Sequence, residues 1–306
     1  MDLCSDFFVL LRDALHPGKE ALELHNPDWE SIYRTACRHC VQGIMFDAVQ
    51  RLPAGSGITP TLAAMWLRDA MKIESEYECI KALVAEQSAV WKELGIDAVL
   101  LKGLNSAKYY PVPSHRVSGD IDWWMRSGKD WNMALDWLRR EQIAWQKDSD
   151  GDISYEKGGI IVEHHRKGLV SDGPEAELLF LAGHLFHHAA VSGVGLRQFC
   201  DYAMALDWYE GKYDRDELYV MASSVGLSSW MLLLDSTVSA FMTGTPAGKR
   251  EDALLSLLMD DGNFGLEGGH RFRSFFRRAR VVGTAAPGQF AKRWLSLAIG
   301  RMKRIL

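Results

Sequence analysis

Two aspartates one residue apart, straight after a glycine and inside an otherwise strand-like run, constrain this chain more than any other feature. The stretch is Arg116 to Met125, RVSGDIDWWM. Aspartate is depleted in strands, so a pair in one strand asks for a reason. Successive strand side chains point to opposite faces, which puts Asp120 and Asp122 on one face, about 6.5 to 7 Å apart along it. Their carboxylates can then lean together onto one hard cation or a pair of cations. The plain alternative is a strand edge or a turn.

Further residues complete such a site. Glu163 lies in a later strand-like run, GIIVEHHRK, and brings a third carboxylate to the same surface if the two strands pair. Three oxygen ligands with open positions suit Mg²⁺ that also holds substrate phosphates, and a two-ion version clamps both oxygens of an in-line phosphoryl displacement. Upstream, LLKGLNS (Leu100 to Ser106) reads as a strand, then Lys102 and Gly103, then a helix start. Glycine lets backbone approach a phosphate, a helix start presents free N–H groups, and lysine adds a point charge. Lys-Gly alone is a weak signal; it gains weight because GDID follows 16 residues after Gly103.

Around these motifs the chain changes character twice. Residues 1–95 read as an N-terminal helical region, with one helix starting at Thr59-Pro60, a cap followed by proline in the first turn, and running on, with or without a break, to Leu94. Residues 96–170 alternate short strand-like runs with helical ones: DAVLLKG, the short helix LNSAKYY, GDIDWWM, the amphipathic helix WNMALDWLRREQ, then IAWQK, DISYEK and GIIVEHHRK. The last two join at Gly158-Gly159 as a hairpin. Residues 171–306 are helical again, apart from a glycine-rich break at Gly262 to Gly269. The expected fold class is α+β, a small mixed sheet flanked by helical regions.

Composition excludes several classes. With 47% hydrophobic and 25% charged residues the chain is globular, not disordered. No apolar run reaches the roughly 18 residues of a membrane-spanning helix, and the first residues lack the pattern of a secretory leader. Five scattered cysteines fit free thiols in a reducing compartment, so a cytoplasmic location is expected. The lone pair Cys37 and Cys40 in CRHC has no second pair at zinc-site spacing. Charge is uneven: His270 to Leu306 holds ten basic and no acidic residues, which leaves a formal −15 on the preceding residues of a chain whose net charge is −5. Such a tail folds back on the acidic body, stays solvated, or meets an anionic partner, nucleic acid or lipid headgroups.

Taken together, LLKGLNSAKYY, RVSGDID, IIVEHHRKG and HLFHHAAVSGVGLRQFCDYAMAL resemble the uncharacterised nucleotidyltransferase family of bacteria, a branch of the DNA polymerase β-like nucleotidyltransferase superfamily. The resemblance spans roughly Ile96 to Leu206. It implies transfer of a nucleoside monophosphate from an NTP, ATP first, to a hydroxyl on a protein, sugar, small metabolite or RNA end. It also implies two Mg²⁺ ions, with Mn²⁺ as a substitute. By position, Lys102, Gly103 and Ser106 would form the phosphate turn, Arg116 would meet the triphosphate, and Asp120 and Asp122 would be the paired metal acids. Glu163 would be the third acid and the group that activates the hydroxyl. Two departures stand out: the usual Gly-Ser turn reads Lys-Gly-Leu-Asn-Ser here, and the third acid is a glutamate.

The histidines and tryptophans admit two readings each. His165 shares the face of Glu163, and His184 and His188 project together from one helix at i, i+4. They could form a zinc or iron site with Glu163, and with it a metal-dependent phosphohydrolase. The resemblance instead puts His188 at the pocket wall and has Arg197 face the nucleotide or pair with Asp201. Trp124, on the acid face, could stack on a base; Trp123 reads as core. A catalytically inactive nucleotide- or partner-binding module of the same fold is the remaining alternative.

Overall fold

The computed structural model describes residues 2–3, 5–19, 22–53, 55–148, 151–169, 171–262 and 276–302. Arg271, Arg273, Lys303 and Arg304 of the basic tail, Cys4 and the glycine-rich break after Gly262 lie outside the described residues. The helices are α1 (Asp6–Leu15), α2 (Trp29–Arg38), α3 (Gln42–Gln50), α4 (Pro60–Leu94), α5 (Leu104–Ala107), α6 (Gly128–Arg140), α7 (Pro174–Val191), α8 (Leu196–Trp208), α9 (Arg215–Ser224), α10 (Ser228–Thr243), α11 (Lys249–Asp261) and α12 (Pro287–Met302). Five strands, β1 (Ala98–Leu100), β2 (Asp120–Met125), β3 (Trp145–Lys147), β4 (Ile153–Lys157) and β5 (Ile160–His165), form one mixed sheet in the order β1-β2-β5-β4-β3. The fold is therefore α+β. No helix among the described residues is long and apolar enough to cross a membrane, and Cys37, Cys40, Cys79 and Cys200 are free thiols.

Two compact units divide the chain: Ala70–Ser171, and Met1–Asp69 with Asp172–Leu306. In the first, β2 runs parallel to β5 and the remaining neighbours are antiparallel. Alternation along β2 sends Ile121, Trp123 and Met125 into the core, where they join Val162 of β5, Ile153 and Tyr155 of β4, Ile80, Leu83 and Trp91 of α4, and Trp131 and Trp137 of α6. Trp91 meets the rings of Trp137 and Trp123 edge-on, with centroids 4.9 and 6.2 Å away. Each fully buried large apolar side chain of this kind contributes about 1.5–3 kcal/mol.

Caps and turns follow the local sequence. The Thr59 hydroxyl accepts the N–H of Leu62 at 3.3 Å, and α4 then runs 35 residues without a break. Ser127 caps α6 by accepting the N–H of Asp130 at 3.1 Å, while Asp130 accepts the N–H of Asp97 at 3.0 Å and so ties α6 to the lead-in of β1. Gly158 and Gly159, at φ 62° and 78°, make the tight β4–β5 hairpin that glycine permits.

The second unit packs around Phe8, Phe186, Phe199, Tyr202, Trp230 and Phe241, all fully or nearly fully buried. Phe8 of α1 meets Phe241 of α10 edge-on at 5.9 Å, so segments distant in the chain share this core. The indole N–H of Trp230 satisfies the carbonyl of Ala182 at 2.9 Å. Arg278, in the basic segment, is buried here against Asp261 at 2.7 Å and the Ala189 carbonyl at 2.6 Å.

One polar chain crosses the core of the sheet unit. Trp123 Nε1 donates to Gln87 Oε1 at 2.7 Å, Gln87 Nε2 donates to Tyr155 Oη at 2.7 Å, and Tyr155 Oη lies 3.2 Å from His164 Nε2. Burial pushes His164 down to about 3, with the charge of His165 adding to the effect, so its ring is neutral in the folded protein. Unfolded, it would take up a proton below about 6.5. Stability is therefore lost as pH falls from 6.5 towards 3, at about 1.4 kcal/mol per unit. Urea unfolding at pH 7 and pH 5 should show wild type losing about 2 kcal/mol more than His164→Gln; equal losses would contradict a neutral His164.

Candidate functional site

The opposite face of the same two strands carries the acids. Asp120 pairs in register with Ile161, Asp122 with Glu163, and Trp124 with His165, so alternation aims Asp120, Asp122, Glu163 and His165 away from the tryptophan core. Asp122 is fully buried, whereas the side chains of Asp120 and Glu163 are 38% and 37% exposed. Those two carboxylates form the open edge of the cluster.

Lys102 closes the cluster from the turn after β1. Its ammonium lies 2.9 Å from Asp122 Oδ2 and 3.3 Å from Asp120 Oδ2. Burial alone would lower the lysine, but the charges of Asp122 and Asp120 outweigh it and hold it above its ordinary value. The turn depends on Gly103, at φ 64° and ψ −112°, a conformation open in practice only to glycine. A Cβ there would sit 3.1 Å from the Asp120 carbonyl oxygen. The helix that follows, α5, is shorter than LNSAKYY suggests, only Leu104–Ala107, so a macrodipole adds little and the side chain of Lys102 supplies the positive charge.

On the other side, His165 is gripped by carboxylates. Its Nε2 is 2.8 Å from Asp122 Oδ1 and 3.5 Å from Glu163 Oε2, and its Nδ1 is 3.0 Å from Asp152 Oδ2. The second oxygen of Asp152 accepts the N–H of Arg166 at 2.8 Å. Burial opposes a charged ring, yet the hydrogen bonds to Asp122 and Asp152 win and raise His165 to about 9. Asp122 and Asp152 fall below the usual carboxylate range: burial opposes this in both, but Lys102 and then His165 hold Asp122 down, and His165 and the Arg166 N–H hold Asp152 down. Glu163 moves the other way, raised by burial and by the charge of Asp122.

Ser106 and Arg116 are buried, 1% and 4% exposed, and the Arg116 guanidinium donates to the Val117 carbonyl at 2.9 Å and the Ser118 hydroxyl at 3.1 Å. His188 and Arg197 belong to the other unit, where the Nε2 atoms of His188 and His184 are 3.1 Å apart. Trp124 already carries the Arg126 guanidinium 5.1 Å from its ring centre and has Gly168 packed on it, which makes it a packing residue rather than an open stacking platform. Asp152, by contrast, carries no mark in the sequence; only the strand register reveals it.

The chemistry of the donors fits a cation. Asp122, Glu163 and His165 each offer an atom within 4.8 Å of the others, the sole such group of three or more among the described residues. An ammonium already stands between two of the acids. Four carboxylates, those of Asp120, Asp122, Asp152 and Glu163, face two cationic groups, Lys102 and His165, which leaves room for further positive charge.

Compared with known protein families, the sequence matches the model described as uncharacterised nucleotidyltransferase, over residues 25–173 and 166–242. The chain belongs to this family. Membership supports a general nucleotidyl transfer function, which implies an NTP and an acceptor as substrates, and nucleotidyltransferases generally use divalent metals. No curated protein and no solved structure matches the chain.

Replacing Gly103 by alanine combines a glycine-only backbone with a tight contact to the Asp120 carbonyl. Gly103→Ala should lower stability by about 1–3 kcal/mol, read as a drop in the urea midpoint. An unchanged midpoint would mean that the turn relaxes freely.

Proposed function

We propose that the chain transfers a nucleoside monophosphate from an NTP, with ATP the first candidate, to an acceptor hydroxyl and releases pyrophosphate. The observation that carries this reading is the register of Asp122 opposite Glu163 on adjacent parallel strands, with Asp120 beside them and Lys102 over them. Asp120, Asp122 and Glu163 would hold two Mg²⁺ ions, which supply charge neutralisation at the phosphates and at the attacking oxygen when bound.

The chain's own groups account for the rest. Lys102, kept fully charged by its carboxylate neighbours, offsets the negative charge of the triphosphate, and the Gly103 turn lets main chain approach it. Glu163 is raised above the usual carboxylate range by burial and by the charge of Asp122, which suits it to take the hydroxyl proton. The acceptor oxygen then bonds to the α-phosphorus as the bond to the β-phosphate oxygen breaks, and its electron pair leaves with pyrophosphate. Positioning and charge dominate such a step. Ser106, Arg116, His188 and Arg197 would add contacts to the nucleotide.

A binding module without catalysis has little use for three converging carboxylates. The phosphohydrolase alternative would draw on His184 and His188, which contact each other and lie outside the three-ligand group. Calorimetry with ATP, GTP, CTP and UTP, with and without Mg²⁺, separates these readings. Magnesium-dependent binding of at least one NTP is expected, weakened at least tenfold in Asp120→Asn/Asp122→Asn, about 1.4 kcal/mol or more. If no NTP binds, or binding ignores both the ion and the substitutions, the transferase reading fails.

A further inference from the structure

We propose that the cation site beside Glu163 includes His165 Nε2 as a nitrogen ligand, positioned by Asp152, and that it therefore selects a first-row transition ion over Mg²⁺. The inference rests on the reading above that this face holds two cations, and it assigns a transition ion instead of Mg²⁺ to the one of the two positions that lies beside Glu163.

Three observations converge on it. First, His165 Nε2, Asp122 Oδ1 and Glu163 Oε2 face a common point: Nε2 is 2.8 Å from the first and 3.5 Å from the second, and a donor atom from each residue lies within 4.8 Å of the others. An ion entering there displaces the Nε2 proton to solvent, since a ligating imidazole nitrogen must be unprotonated, and meets two oxygens and one nitrogen. Second, the far nitrogen of the ring is fixed. Nδ1 bonds Asp152 Oδ2 at 3.0 Å, and Asp152 is itself anchored through the Arg166 N–H at 2.8 Å. A histidine that binds a metal nearly always gives its other N–H to a carboxylate or carbonyl, which sets the tautomer and aims the ring. Third, β4 delivers Asp152 by register: Ile153 pairs with His164, so Asp152 falls beside His165 at the end of the ladder.

The consequence concerns selectivity. Mg²⁺ prefers oxygen ligands in a near-ideal octahedron and gives up water reluctantly. Imidazole favours later divalent ions, and affinity for a mixed nitrogen and oxygen site rises across the first row. A site made only of Asp120, Asp122 and Glu163 would lack that bias. Lys102, now 2.9 Å from Asp122, would give way to the ion and turn to the phosphates, which leaves the nitrogen ligand in place.

Mn²⁺ is the probe, because its pulsed electron spin resonance reports directly bound nitrogen. The 306-residue chain is loaded with Mn²⁺, with and without ATP, both at natural abundance and with ¹⁵N-labelled histidine. The expected result is a nitrogen coupling in the wild type that changes isotope signature on labelling, a reading that needs no variant to fold. Competition with Mg²⁺ should show His165→Asn losing about tenfold or more of the preference for Mn²⁺, and Asp152→Asn weakening Mn²⁺ by about 10- to 100-fold while keeping the nitrogen signal. Bound Mn²⁺ without histidine coupling, an unchanged ion preference in His165→Asn, or no Mn²⁺ bound under either condition would overturn the inference. Nucleotide binding is scored separately. Magnesium-dependent NTP binding alongside a nitrogen-free Mn²⁺ site would sink this inference and leave the transferase reading standing; histidine-bound Mn²⁺ without NTP binding would do the reverse.

Discussion

A fully buried carboxylate sits at the centre of the sheet unit, and the pairing of Asp122 with Lys102 and His165 is the interaction on which the rest depends. An unpaired charge there would cost several kcal/mol, and a buried pair is tolerable only with good geometry on both oxygens. Each oxygen of Asp122 faces a basic group, the Lys102 ammonium 2.9 Å from Oδ2 and His165 Nε2 2.8 Å from Oδ1. Lys102 reaches its place because Gly103 adopts a turn that other residues resist, and His165 is held because Asp152 grips its far side. The turn after β1 and the end of the β4–β5 hairpin are thus coupled through one buried charge.

The same strands tie the site to the core. Residues alternate between faces, so a slip of one position between β2 and β5 would send the acids inward and the core residues outward. Trp123 stands beside His164 in the register that sets Asp122 beside Glu163. Behind the site, the chain from Trp123 through Gln87 and Tyr155 to His164 and the edge-on packing of Trp91 fix that register from below. A rigid backing of this kind is what a cluster of like charges needs if its geometry is to hold.

How much of this was legible in the sequence depended on the range of the interaction. Alternation in GDIDWWM and GIIVEHHRK is a local pattern, and it correctly separated Asp120, Asp122, Glu163 and His165 from Trp123. The glycine pair at the hairpin and the Thr59-Pro60 start of α4 are likewise local signals with a conformational cause. Asp152 could not be found this way, because its importance comes from strand pairing and not from its neighbours in the chain. Side-chain reach was equally hidden: no local pattern announces that the Arg116 guanidinium donates to the Val117 carbonyl and the Ser118 hydroxyl. The helical unit joins the two ends of the chain, through contacts such as Phe8 with Phe241, and no local pattern announces that either.

The two central carboxylates illustrate how one surface separates roles. Asp122 and Glu163 are direct neighbours across paired strands, with the same charge and the same partners within reach. Asp122, sealed and gripped by Lys102 and His165, is held below the usual range, while Glu163 is raised by burial and by the neighbouring negative charge. Environments that push two acids apart in this way commonly mark one as a permanent anion and the other as a proton carrier. Under the proposed transferase reading, Asp122 is the fixed ligand and Glu163 the group that accepts the hydroxyl proton. The half-exposed position of Glu163 at the open edge, where an acceptor can arrive, gives that assignment a steric reason that is independent of its acidity.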